Sequence, residues 1–178
     1  LLAEHGIQAG KFEYFDVDPA IASKYSIIDA NGGFEVDEHS ELLSLSKTLP
    51  PTNKGVNFFF VKGFTGWGLL GKAGGIPGPP VHGTYGSGVA VSLADYFEGG
   101  QDGKKLTAHA MVHELMHQLG LFHTSEQNGE MFDPLSDTPQ CANDFNGDGL
   151  VDFGECIGKG NTNVMFWMAH IDNVLSDD

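Results

Sequence analysis

The spacing of apolar and polar positions divides the chain into a short series of expected elements. Residues 56–61 form a nearly continuous apolar run bounded by glycine, which predicts a strand buried on both faces and central in its sheet. Residues 88–93 predict another strand, and residues 12–17, rich in strand formers and stopped by Asp18 and Pro19, a third. Leu42, Leu43, Leu45 and Leu49 mark a helix over 37–48, capped by Asp37 and ended by Pro50 and Pro51. A longer helix is expected over 106–119, reached from the second strand through 95–102. Residues 1–5 with Gly6 read as the last turn of a helix and its cap, and 168–175 as a closing helix.

Between these elements, residues 63–88 are rich in glycine and carry Pro77, Pro79 and Pro80, too irregular for a core element throughout. Within them Leu69, Leu70, Gly71, Lys72 and Ala73 predict a short edge strand. Such an edge leaves backbone N–H and C=O groups free to pair with an extended peptide, with little demand on its side chains. Residues 29–33 are turn chemistry. Asp29, Asn31 and Asp37 echo a calcium loop, but Gly33 and Phe34 stand where oxygen ligand and glycine belong, favouring a solvated turn.

The length of 178 residues and 40% apolar content suit a single globular domain over 1–178. No apolar run is long enough to span a membrane, and no basic-then-apolar leader opens the sequence. The net charge of -15, with nine lysines and no arginine, argues against nucleic acid as a partner and makes bound cations worth seeking.

The chemistry concentrates at His113, Glu114, His117, Gly120 and His123. On a helix His113 and His117 are one turn apart on one face, and Gly120 permits the left-handed turn after which His123 can approach from another direction. Three imidazoles suit a tetrahedral zinc site with one open position, and Glu114 stands beside them as a general base. The chance of these five fixed positions falling in register in such a chain is on the order of 10⁻⁵ at average residue frequencies. His109, one turn earlier, makes a hydrogen bond or faces solvent, since the ligand set is already full.

After His123 the acids accumulate, and no lysine occurs between Lys105 and Lys159. Residues 144–155 match the twelve-residue calcium loop at every oxygen-bearing position: Asp144, Asn146, Asp148, the Leu150 carbonyl, Asp152 and Glu155, with Gly149 at the sharp turn. A hydrated acidic turn is the plainer alternative. Neither flank reads as a helix; instead Cys141 and Cys156 bracket the loop, and their short separation suits a disulfide in an oxidising compartment, with two free thiols as the alternative.

The stretch 113–123 resembles the metzincin zinc endopeptidases. His123-Thr124, residues 133–139 and Asn163-Val164-Met165 together are similar to the pappalysin branch, as are 68–73 and 88–91; the resemblance covers about 56–167. It implies an α+β fold: a twisted mixed β-sheet with a zinc-binding helix, an upper subdomain over 1–120, and a small irregular C-terminal subdomain over 121–178. It also implies further elements upstream of Leu1. Met165, which ordinary core packing would also explain, would lie in a tight turn beneath the histidines. Trp167 departs from the pattern, since many relatives place there a tyrosine that approaches the metal. An indole N–H donates one hydrogen bond but neither ionises nor ligates zinc.

These features predict a secreted, monomeric zinc endopeptidase acting on protein or peptide substrates, with catalytic zinc and structural calcium. The acidic segment after His123 would favour basic residues in the substrate. Two other readings stand beside it. One is a calcium-stabilised peptide-binding or adhesion domain whose zinc site has lost catalysis; in the other only the calcium loop is real and the histidines are incidental.

Overall fold

A computed structural model describes residues 2–30, 37–49, 55–66 and 68–172, the side chains of Glu4 and His5 excepted. The architecture is mixed α and β with small sheets, and the chain forms two compact units, Phe12–Gly120 and Leu1–Lys11 with Leu121–Asp178. The first eleven residues thus group with the C-terminal unit, not with the upper part as expected.

In the unit Phe12–Gly120, residues 12–18 form no strand, contrary to expectation, and Phe12, Tyr14 and Phe15 are exposed. Strand propensity expresses itself only against a packed face, and this segment has none. Asp18 and Pro19, read as a stop, instead start helix α1 (Pro19–Lys24): the Asp18 carboxylate accepts the Ala20 N–H at 2.9 Å, and proline fits the first turn. Strand β1 (Ile27–Ile28) follows. The Asp37 cap is as expected, accepting the Ser40 N–H at 2.8 Å, and opens α2 (Glu38–Ser44), which tightens into a 3₁₀ turn over Leu45–Thr48. Asn31 and Gly33 of the expected turn, and Pro50 and Pro51, lie outside the described residues.

Strands β2 (Phe58–Val61), β4 (Gly71–Ala73) and β5 (Val89–Ser92) form a sheet in the order β2-β5-β4, β5 running parallel to β2 and antiparallel to β4; β3 (Gly63–Phe64) pairs in parallel with β1. The central strand is therefore β5, not the 56–61 run, and Phe60 is 49% exposed. Every residue of β5 is buried: Ala90 packs with Tyr25, Ile28, Leu42 and Val61 on one face, Val89 and Val91 with Ala110 on the other. Small and β-branched side chains fit a doubly covered strand better than three consecutive phenylalanines. Leu69 and Leu70 precede β4, although the Leu70 carbonyl already accepts the Ser92 N–H at 2.8 Å. Helix α3 (Ala94–Glu98), unexpected from sequence, leads through Gly99 into the twenty-residue α4 (Gly100–Leu119).

The other unit carries a 3₁₀ turn at Leu2–His5 closed by Gly6 at φ +74°, and loops over 121–172. Its core is Cys141, Val151, Cys156 and Phe166, flanked by Trp167 and Met168, with Cys141 and Cys156 joined as a disulfide. Residues 168–172 hold a bend at 168, an irregular pair at 169–170 and a turn at 171–172, so the described part of the expected closing helix is not helical; the remainder lies outside the described residues.

Candidate metal centre

Helix α4 places His113 and His117 one turn apart, 7% and 6% exposed. Their Nε2 atoms stand 3.0 Å apart with the rings nearly perpendicular, close to the roughly 3.3 Å separating two nitrogens on one tetrahedral zinc. The helix stops at Gly120, whose φ of +112° is open to glycine, and whose N–H returns to the His117 carbonyl at 2.9 Å. His123 follows three residues later. His113, His117 and His123 each offer one ligand atom, and these atoms lie within 4.8 Å of one another, so the trio can hold a metal ion. Neutral imidazole nitrogens in such a set suit zinc, copper, iron or nickel.

Glu114 is 7% exposed and packs directly over Gly71 of β4. Burial pushes its carboxyl up to about 8, against the opposing pull of the Ala73 N–H and the Lys72 ammonium. Lys72 is itself anchored, donating to the Ala30 carbonyl at 2.5 Å and lying 3.5 Å from the Asp37 carboxylate. His39 of α2 reaches the Lys72 carbonyl at 3.0 Å, so α2 and the sheet hold the strand that faces Glu114. Gln118 ties down the glycine-rich loop: its backbone carbonyl accepts the Gly78 N–H at 3.0 Å. His109 is buried, which removes the solvent-facing alternative.

In the C-terminal unit the His123 Nδ1 lies 3.0 Å from a Glu126 carboxylate oxygen. Thr124, next to His123, donates its N–H to the Met165 carbonyl at 3.0 Å. Met165 is buried in a tight turn: its N–H reaches the Asn163 side chain at 2.7 Å, and Phe166 N–H the Asn163 carbonyl at 3.0 Å. Trp167 donates its indole N–H to the Val151 carbonyl at 2.7 Å, so its polar edge is committed to the disulfide core.

In the 144–155 loop the carboxylates turn onto the loop's own backbone. Asp144 accepts the Gly147 and Gly149 N–H groups at 2.7 and 2.9 Å, and Glu155 those of Phe145, Asn146 and Asp152 at 2.7, 3.1 and 3.1 Å. Asp148 accepts the Leu150 N–H at 2.9 Å and the Asn146 amide at 3.1 Å. Among the described residues, the histidine trio is the cluster of acids, histidines or cysteines whose ligand atoms converge this closely. Sequence reasoning missed Glu126 beside His123, visible as an acid three residues after a ligand, and it named Gly71 and Ala73 only as edge-strand residues, their contacts with Glu114 emerging through the tertiary fold. No helix among the described residues is long and apolar enough to cross a membrane. Compared with known proteins, the chain matches no family model, no curated protein and no solved structure.

Proposed function

We propose that the chain is a zinc endopeptidase of metzincin type, similar to the pappalysins. The observation that carries this reading is three histidine ligand atoms within 4.8 Å of one another on a stretch that also supplies the buried Glu114. His113, His117 and His123 would hold the ion, and their donor chemistry fits zinc. When bound, zinc supplies Lewis acidity, bringing the pKa of a water to about 7 and polarising a carbonyl. Glu114, whose ionised form the charge of a bound ion would favour against the effect of burial, takes the proton from the attacking water and delivers it to the leaving amine, held in place by the Ala73 N–H and by its packing on Gly71. Strand β4 is the outer strand of its sheet, and an extended substrate would pair along it. The acidic segment after His123 would favour basic side chains; a cleavage profile without lysine or arginine enrichment refutes that preference.

The 144–155 loop is proposed to take structural calcium, supported by its ligand spacing and by the disulfide that brackets it. That disulfide also supports an extracellular setting. A second reading, a zinc-bearing peptide-binding domain without turnover, is favoured by Trp167, whose N–H is already occupied by Val151. The deciding experiment is metal analysis of the purified protein beside cleavage of casein, with and without a zinc chelator. One equivalent of zinc and chelator-sensitive cleavage support the protease; zinc without cleavage supports the binding domain; absence of zinc overturns both.

A further inference from the structure

The Glu126 carboxylate lies 3.0 Å from the His123 Nδ1, and both side chains are partly shielded, at 22% exposed for the histidine and 35% for the glutamate. A carboxylate can only accept at that contact, so the proton belongs on Nδ1 and the lone pair on Nε2. The pair is not a chance meeting of two floppy side chains. The Glu126 N–H donates to the Met131 carbonyl at 2.9 Å, and its carbonyl accepts the Gly129 N–H at 2.9 Å. Gly129 sits at φ +65°, where a Cβ would stand 2.8 Å from a Val151 methyl, so the turn admits little but glycine. On the other side Ser125 bridges to Phe132 and its hydroxyl accepts the Cys141 N–H at 2.8 Å. The Thr124 N–H is fixed by Met165. Hydrogen bonds thus tie Ser125 to the disulfide core and its chain neighbour Glu126 to the His123 ring.

We propose that Glu126 is the positioning residue of the metal centre: it fixes His123 in the Nδ1–H tautomer and aims its Nε2 at the ion. This rests on the zinc reading of the histidine trio. His113 and His117 have a rigid helix to orient them, whereas His123 stands on a loop beyond the helix cap and needs another constraint. A carboxylate behind a ligating imidazole also raises its basicity, and loss of such a partner typically weakens metal affinity about 10–100-fold.

The test compares wild type, Glu126→Ala, Glu126→Gln and, as a charge control, Glu130→Ala, an exposed glutamate four residues on. Zinc affinity is read by competition with a chromophoric chelator, and the His123 tautomer by long-range 15N NMR on the metal-free protein. Expected are an Nδ1–H signal for His123, zinc affinity about 10–100-fold weaker in Glu126→Ala, a smaller loss in Glu126→Gln, whose amide oxygen can still accept, and no change in Glu130→Ala. The cobalt-substituted protein should show an altered visible spectrum in Glu126→Ala, which a merely structural role would not produce. Were Glu126→Ala not to fold, the near-isosteric Glu126→Gln carries the comparison. Wild-type affinity in both Glu126 variants, or an Nε2–H tautomer in the metal-free wild type, overturns this inference alone. Failure of the wild type to bind zinc overturns the zinc reading and the inference with it.

Discussion

A Cβ on Gly71 would stand 2.5 Å from the Glu114 Cγ and 3.0 Å from its Cδ, so the edge strand has glycine where the buried carboxylate lies across it. Glu114 has no free direction in which to yield, being 7% exposed and on a helix packed against the same sheet. Gly71→Ala is therefore expected to displace the carboxylate while leaving the histidines on α4 in place. A misplacement of about 1 Å costs on the order of 10²-fold in turnover. Overpacking should also cost about 1–3 kcal/mol of stability. Peptide cleavage and zinc stoichiometry measured on the same sample check this; an alanine variant as active as wild type would refute the steric coupling.

Removing the carboxylate itself separates binding from catalysis. Glu114→Ala is expected to retain one zinc, because the three imidazoles remain, and to lose nearly all cleavage, because the proton acceptor is gone. Full activity in this variant takes Glu114 out of the mechanism.

How far the sequence foretold the site depends on the range of each interaction. His113, Glu114 and His117 were legible because a helix converts spacing directly into geometry, and the Asp37 cap because capping spans three residues. Asp18 and Pro19 read as the stop of a strand, but the same pair can begin a helix, and the exposed 12–18 together with the Asp18 cap on Ala20 show that here it does. The central position of β5 was not legible at all: strand order follows from what α4 and α2 cover, and Val89, Val91 and Ala90 divide between those two faces. The contact of Gly71 with Glu114 spans forty-three residues, beyond any local pattern.

His39 couples the same strand to acid. It is 3% exposed, its Nε2 donates to the Lys72 carbonyl, and burial together with the Lys72 charge lowers its pKa from 6.5 to about 4, with Asp37 and the carbonyl opposing. Below pH 6.5 the unfolded chain takes up a proton that the folded protein refuses. Stability is therefore expected to fall as pH drops from about 6.5 to 4, by up to about 3 kcal/mol from this group, and to gain nothing further from it above 6.5. Other acids titrate in the same window, so the measurement is the difference between urea unfolding of wild type and of His39→Gln across pH 4–7. Parallel curves for the two proteins refute the coupling.

The Cys141–Cys156 bridge spans 15 residues and lies at the centre of its unit's core. Its loss through Cys141→Ala with Cys156→Ala is expected to lower stability by about 3 kcal/mol in the chain-entropy model. Because Ser125 takes the Cys141 N–H, the effect should reach the segment 123–126 as well. Hydrogen exchange at Ser125 and Glu126 faster than in wild type confirms that route, and unchanged exchange there closes it.

Structural calcium in 144–155 can be tested apart from the loop's own hydrogen bonds, in which its carboxylates accept from the loop's backbone. Asp144 accepts two N–H groups, and Glu155 reaches back to the start of the loop, so the two carboxylates brace the turn from both ends. An ion held among them would relieve the repulsion among Asp144, Asp148, Asp152 and Glu155. Calcium at about 100 times its dissociation constant should then raise stability by about 2.7 kcal/mol. Glu155→Gln, which removes the closing carboxylate and keeps one oxygen for the Phe145 and Asn146 N–H groups while giving up the acceptor of the Asp152 N–H, should abolish that increment and cost only about 1 kcal/mol of the stability in a chelator. Thermal unfolding of the two proteins with calcium and with a calcium chelator decides it: an equal rise in both assigns the ion elsewhere, and no rise in wild type leaves the segment an acidic turn held by its own amides.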